Sequence, residues 1–228
     1  MRMIFVRHGD PNYRLDCLTE LGHLQAEAAA ERLADERIER IFASTCGRAT
    51  ETAQHIAARH GLAVEPLEFM REIGWDTLSG CPLPSNGHPW SVADYMVAHG
   101  ECINNPLWAT EEPFCRDAVT ERALRVGREI DALLAALGYA REGGYYRIQK
   151  ASDLTYILVS HGGSGSAALA HIFDLPFPYV CGRLHPDFTS VSIVSFSGDT
   201  GELVAPRIDL LNDARHIVGL EAPAVFGK

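Results

Sequence analysis

The chain is short of positive charge. Its 228 residues carry 20 Lys and Arg against 30 Asp and Glu, a formal net charge of −10. That balance argues against nonspecific binding to nucleic acid or to an anionic membrane surface. Paired cysteines are lacking too. Cys17, Cys46, Cys81, Cys102, Cys115 and Cys181 are scattered, with no Cys-x-x-Cys spacing, so neither a zinc knuckle nor a small disulfide framework is expected. No apolar run reaches the ~20 residues that a membrane span requires. The N-terminus enters a strand at once, without a charged-then-apolar export signal. Internal repeats and low-complexity tracts are also missing. These absences predict a cytoplasmic protein with reduced thiols and with no membrane or nucleic-acid partner. An acidic protein that handles an anion must concentrate its positive charge locally.

What is present reads as alternating strands and helices. Hydrophobic content of 46% and charged content of 22% are ordinary globular values, and the length suits a single domain. Met3-Ile4-Phe5-Val6 is a short apolar run closed by Gly9, a buried strand followed by a tight turn. Thr19 is placed to cap a helix carrying Ala26, Ala29, Ala30 and Leu33 on one face. Residues 38–44 read as a strand, and Arg48 opens a second helix that Gly61 is placed to end. Residues 62–69 read as a further strand. From residue 76 to about 115 the pattern breaks: Pro82, Pro84, Pro89, Pro106 and Pro113, with Trp90 and Trp108, predict an irregular lid or cap. A helix from Asp117 to Leu137 follows, stopped by Gly138. Residues 154–160 are a near-continuous apolar run, as suits a strand buried on both faces. Residues 190–196 form another strand, turned by 197–201 into a hairpin with 203–210. The alternation predicts an α/β fold with a mainly parallel sheet.

Two strands end in His-Gly: Val6-Arg7-His8-Gly9 and Val159-Ser160-His161-Gly162-Gly163. In a parallel sheet both end on one edge, where α/β proteins bind ligands. A guanidinium clamps phosphate, and an imidazole serves as nucleophile or proton carrier. The glycines permit close backbone approach and free their N–H groups for an anion. A third element, Ser44 to Thr52, passes from strand to a helix headed by Arg48, adding a full charge to a helix N-terminus. Arg7, Arg48, His8 and His161 then form a positive cluster in a negative protein, which fits a phosphate pocket.

With these elements the chain resembles the histidine phosphatase superfamily, the phosphoglycerate-mutase-like fold. Arg7-His8-Gly9 matches its signature. Ser44 through Thr52 resembles its Ser-x-x-x-Arg-Ala-x-x-Thr element, and Ser160-His161-Gly162-Gly163 its second histidine. Met70-Arg71-Glu72, with Gly80 beyond, resembles its acid-bearing stretch; Leu18-Thr19-Glu20-Leu21-Gly22 followed by Gln25-Ala26 matches its helix opening. The resemblance implies one domain over 1–228, a three-layer αβα sandwich with a cap insertion at about 76–150. It implies that His8 attacks phosphorus to give a phosphohistidine, and that Arg7, Arg48, His161 and the Gly162 backbone hold the phosphate oxygens. Glu72 would protonate the leaving oxygen, with Asp76 as the alternative acid. No metal or other cofactor is implied. A homodimer is typical of the family.

The substrate side departs from a mutase. Between Arg71 and Arg116 there is no Lys or Arg, and Asp10-Pro11-Asn12-Tyr13 replaces the Glu-Ser/Thr-x-Trp-Asn pattern of mutases, with Arg14 where their phosphate-touching Asn falls. A phosphatase acting on a small phosphorylated metabolite is therefore expected, with Asn12, Arg14, Trp90 and Trp108 as substrate contacts. A mutase is the runner-up if Arg147 and Lys150 fold back over the pocket; a non-catalytic phospho-ligand binder is the third reading. His55 and His60 are expected to face solvent, and His88 and His99 belong to the cap. Gly162 to Ser166 lacks the Gly-x-Ser-x-Gly elbow of serine hydrolases.

Overall fold

The first apolar run forms a strand because both of its faces are buried. The computed structural model describes residues 1–75 and 83–220; Asp76, Gly80, Cys81 and Pro82 lie outside them. In chain order the elements are β1 (Arg2–Arg7), a two-strand ribbon of β2 (Pro11–Asn12) and β3 (Cys17–Leu18), α1 (Glu20–Arg32), β4 (Ile38–Ser44), α2 (Gly47–His60) and β5 (Val64–Leu67). Then come α3 (Pro89–Ala98), α4 (Ala118–Ala136), β6 (Tyr139–Glu142), β7 (Tyr145–Ile148), β8 (Thr155–Ser160), α5 (Gly162–Ile172) and α6 (Phe177–Cys181). Strands β9 (Val191–Ser195), β10 (Leu203–Val204) and β11 (Arg207–Asp213) follow. The main sheet has the order β11-β9-β1-β8-β4-β5. Its four strands from β1 to β5 run parallel, and β9 and β11 are antiparallel additions at the other side.

Helices cover both faces, so the strands alternate between two cores rather than between core and water. Met3 and Phe5 pack with Phe42, Tyr156, Leu158 and the α4–α5 layer. Ile4 and Val6 pack with Ile41, Ala43, Ile157 and Val159 against Ala30, Leu33, Ala49, Ala53 and Ile56 of α1 and α2. Each large side chain removed from water contributes about 1.5–3 kcal/mol. The helix ends follow the expected chemistry: Thr19 Oγ1 accepts the Gly22 N–H of α1, and Gly61 closes α2 at φ +63°.

Three features differ from the sequence expectations. Residues 118–136, inside the expected cap segment, form a helix of the main layer against α5. Residues 139–148 form a hairpin turned at Gly143-Gly144, where Gly143 takes a left-handed φ of +65°. The predicted 190–210 hairpin is split between sheets: β10 pairs with β7, and only β11 pairs with β9. Pro206 has no N–H for a ladder, and the chain changes sheets there.

Register fixes the functional edge. Arg7 pairs with Ser160 and Ala43 with Val159, so β1, β8 and β4 leave the sheet at one level. The loop after β1 is then pressed onto α1. A Cβ at Gly22 would lie 2.1 Å from the Asp10 carbonyl, and one at Gly9 would lie 2.6 Å from the Gly22 carbonyl. Because both neighbours are backbone, Gly22→Ala is expected to lower the unfolding free energy by about 1–3 kcal/mol, read as a lower urea midpoint. An unchanged midpoint would contradict this close-approach account.

Candidate active site

The turn after β1 is fixed one N–H at a time. His8 N–H donates to Ser160 O (3.0 Å), Gly9 N–H to Thr52 Oγ1 (3.1 Å) and Asp10 N–H to Gln25 Oε1 (2.8 Å). Strand β8, helix α2 and helix α1 thus each hold one residue of the turn. His8 is 1% exposed, and its ring lies 5.1 Å from that of His161, also 1% exposed. The His8 Nδ1 sits 2.7 Å from Gly9 O. A carbonyl can only accept, so Nδ1 carries the proton and Nε2 keeps its lone pair. The Arg48 Nε–H points at that lone pair from 3.4 Å. Burial, and then the charges of Arg7 and Arg48, hold the His8 pKa down at about 3, against the raising effect of the Gly9 bond. The nucleophile candidate is a neutral imidazole at ordinary pH.

His161 caps α5, and its Nε2 lies 2.7 Å from Ser44 Oγ. That oxygen also accepts the Cys46 N–H (3.2 Å), and in the tautomer where its own proton goes to His161 Nε2 the ring N–H is Nδ1. Among the described residues Nδ1 is buried without a hydrogen-bond partner. Burial, followed by His8, Arg48 and Arg7, lowers the His161 pKa to about 2. His161 is therefore a neutral imidazole. Arg7 Nη1 donates to Pro186 O, its guanidinium lies 4.2 Å from the centre of the Phe188 ring, and its Nε is a buried donor without a partner among the described residues. Arg48, 7% exposed, is clamped by Asp16, whose other oxygen accepts the Gly47 N–H (2.9 Å) and so caps α2. Gly47 is required there, since a Cβ would lie 1.9 Å from the Asp16 carbonyl.

Glu72 reaches the same edge from the other side. Its carboxylate accepts the N–H of Ile73 (2.9 Å) and, at the N-terminus of α5, those of Ser164 (3.1 Å) and Gly163 (3.3 Å). Gly163 makes room for it, because a Cβ there would lie 2.6 Å from Glu72 Oε1. Burial raises the Glu72 pKa, outweighing the lowering by the three N–H groups. A buried edge thus collects two guanidiniums, two neutral imidazoles and a carboxyl group whose pKa is raised by burial. That set matches phosphoryl transfer, which needs positioning and charge stabilisation more than covalent machinery.

The family model of the histidine phosphatase superfamily, branch 1, matches residues 3–209. The chain belongs to that superfamily, and it is a phosphatase. The glucosyl-3-phosphoglycerate phosphatase of Mycobacterium tuberculosis is 28% identical over 228 residues, covering 95% of this chain and 96% of that protein. A solved structure of the mycobacterial glucosyl-3-phosphoglycerate phosphatase shares 26% identity at a TM-score of 0.63, covering 92% of this chain and 98% of the other. The phosphoserine phosphatase of Entamoeba histolytica, at 21% identity and a TM-score of 0.61, covers 95% and 98% and shares the fold.

The phosphatase distributes the other expected site residues unevenly. Gly162 opens α5 beside His161, and Trp90 stands over it, with ring carbons 3.5 and 3.6 Å from where a Cβ would sit. Trp108 is elsewhere: it packs on Phe114 and Phe177 and lines a cavity with Leu175 and the C-terminal half of α5. Its apolar neighbours, not the histidines, fix its place. Asn12 Oδ1 accepts the N–H groups of Arg14 and Leu15 (both 3.2 Å), so it shapes the turn, and Arg14 is exposed. Arg147 does not fold over the pocket; it is tied to Glu142 and Gly201 O, and Lys150 lies beside Gly138. Among the described residues no group of three His, Cys, Asp or Glu is placed to hold a metal, and no helix is long and apolar enough to cross a membrane.

Residues the sequence left unmarked are Asp16, Ser44 as partner of His161, Phe188 and Tyr13, whose ring lies 5.3 Å from the Arg48 guanidinium. The Ser44 bond tests the account of His161. Ser44→Ala is expected to lower kcat/KM about tenfold, the scale of one hydrogen bond, with the protein folded by circular dichroism. No change would show that Ser44 does not set the His161 tautomer.

Proposed function

We propose that this phosphatase hydrolyses a phosphomonoester of a small phosphorylated metabolite in two transfers through His8. The observation that carries the reading is the bond from His8 Nδ1 to Gly9 O, which leaves a neutral Nε2 facing Arg48. Nε2 attacks phosphorus, the P–O ester bond breaks, and its electron pair leaves on the alcohol oxygen, which takes a proton from Glu72. Arg7, Arg48, the His161 Nδ1–H and the N–H of Gly162 hold the remaining oxygens and the charge spread over them. A water then attacks phosphorus, giving its proton to the Glu72 carboxylate, and the P–N bond returns its pair to Nε2. Arginines and N–H groups supply the positive charge, so the scheme needs no metal. Relatives named for glucosyl-3-phosphoglycerate and phosphoserine support a small metabolite as the substrate class.

Hydrolysis of p-nitrophenyl phosphate is expected to persist in EDTA and to vanish in His8→Ala; metal dependence, or turnover by that variant, would overturn the scheme. The proton donor has its own test. Because Glu72 must be protonated for the first step and its pKa is raised by burial, kcat/KM for an alkyl phosphate is expected to fall as pH rises through that pKa. Glu72→Gln is expected to lower kcat/KM on the alkyl ester about 10²–10³-fold, to flatten that limb, and to affect p-nitrophenyl phosphate less, since nitrophenolate leaves without an acid. Equal losses on both esters would remove Glu72 as the acid.

A further inference from the structure

Beside the phosphate-facing edge stands a row of four planar side chains: Trp75, His88, Trp90 and His185. Successive ring centres are 4.7, 5.4 and 6.3 Å apart. Trp90 is the anchor. It begins α3 behind Pro89, its Nε1–H reaches Leu184 O at 3.4 Å, and its ring edge covers Gly162. His88 is oriented by Ser91, whose Oγ lies 2.9 Å from Nδ1.

The direction of the leaving group follows from the acid. The oxygen that departs must lie within hydrogen-bond reach of Glu72, and Glu72 sits on the N–H groups of Gly163 and Ser164. The next residue back is Gly162, and the surface above it is Trp90. Carbon atoms attached to the departing oxygen therefore extend from Glu72 onto the Trp90 ring. That wall holds two indoles and two imidazoles, and the segment contributing three of its four rings has no Lys or Arg from residue 72 to 115. Arg71, the residue before this stretch, is engaged with Thr45 Oγ1 (3.3 Å) at the start of α2. A flat aromatic surface favours the C–H face of a ring, and imidazole nitrogens at its edges suit hydroxyl groups. The guanidiniums on this flank stand at Thr45 (Arg71) and against Gly74 (Arg122) rather than on the Trp90 face, so a carboxylate laid on that ring would give up its water without a hydrogen bond to replace it.

We propose that Trp90, flanked by His88 and His185, forms the leaving-group subsite and selects phosphate esters of uncharged, hydroxyl-bearing ring alcohols over those of carboxylate-bearing ones. The inference rests on the reaction proposed above and adds the class of alcohol.

The test compares kcat/KM for glucose 6-phosphate, glycerol 1-phosphate and 3-phosphoglycerate, in wild type, Trp90→Ala, Trp90→Phe and His8→Ala. Wild type is expected to prefer the hexose ester over 3-phosphoglycerate by tenfold or more. Trp90→Ala is expected to collapse the hexose-to-glycerol ratio at least tenfold, chiefly through KM, and Trp90→Phe to retain most of it. A preference for 3-phosphoglycerate, or an unchanged ratio in folded Trp90→Ala, would overturn the subsite. Should Trp90→Ala fail to fold, an unchanged ratio in His88→Ala together with no hexose preference in wild type would do so. Failure of the underlying reaction reads differently: turnover of glycerol 1-phosphate would then survive in His8→Ala.

Discussion

The structure depends on keeping positive charge concentrated and partly unpaired at one buried sheet edge of an acidic protein. Two guanidiniums and two imidazoles meet where β1, β8 and β4 end level. Like charges in a low-dielectric site repel strongly, and the fold relieves this in two ways. Arg48 receives a carboxylate from Asp16, and Arg7 a carbonyl and the face of Phe188. The imidazoles stay neutral, their pKa values pushed down to about 3 and about 2 by burial and then by the neighbouring charges. What is left over among the described residues, the partnerless Arg7 Nε and His161 Nδ1, is what the proposed reaction assigns to a phosphate. Paired charges fix the geometry, and the unpaired donors are reserved for the ligand.

Glu72 shows the same economy from the opposite sign. Two N–H groups at the start of α5 and that of Ile73 favour its carboxylate, while burial favours its acid form, and burial prevails. A group used once as acid and once as base needs both forms within reach. The helix end that meets this carboxylate is the one that carries His161. Gly163 permits the approach, because any Cβ would occupy the position of the Glu72 oxygen. In the proposed reaction the short sequence His161-Gly162-Gly163-Ser164 thus serves the phosphate and the leaving oxygen together.

Much of this was legible in the sequence, for reasons that are local. Arg7-His8-Gly9 and Ser160-His161-Gly162 stand at the ends of apolar runs, and parallel pairing sends both to one edge. Thr52 and Gln25 were readable as parts of helix patterns, though only the fold shows them holding the N–H groups of Gly9 and Asp10. Asp16 was invisible because it lies in a two-strand ribbon and acts on α2, 31 and 32 residues onward. Trp90 and Trp108 look alike in a proline-rich stretch; packing on Phe114 and Phe177 sends one to the far half of α5, and the cover over Gly162 keeps the other at the site. The 139–148 hairpin carried its own mark in Gly143-Gly144, which the surrounding irregular composition obscured.

The position of that hairpin also decides where the phosphate goes. Tyr139 and Tyr146 stack on Phe196, and Phe196 N–H is bonded to Met1 O, so β6 and β7 sit at the N-terminal end of β1. The histidines lie at the C-terminal end of the same strand. Arg147 is therefore a sheet length away from His8, and its guanidinium is already held by Glu142. A mutase must retain an anionic product beside the phosphoenzyme until the phosphate returns, which calls for cations on the leaving-group side. Here that side is faced by Trp75, His88, Trp90 and His185. In the proposed reaction a dephosphorylated alcohol resting on these rings departs readily, and water takes its place.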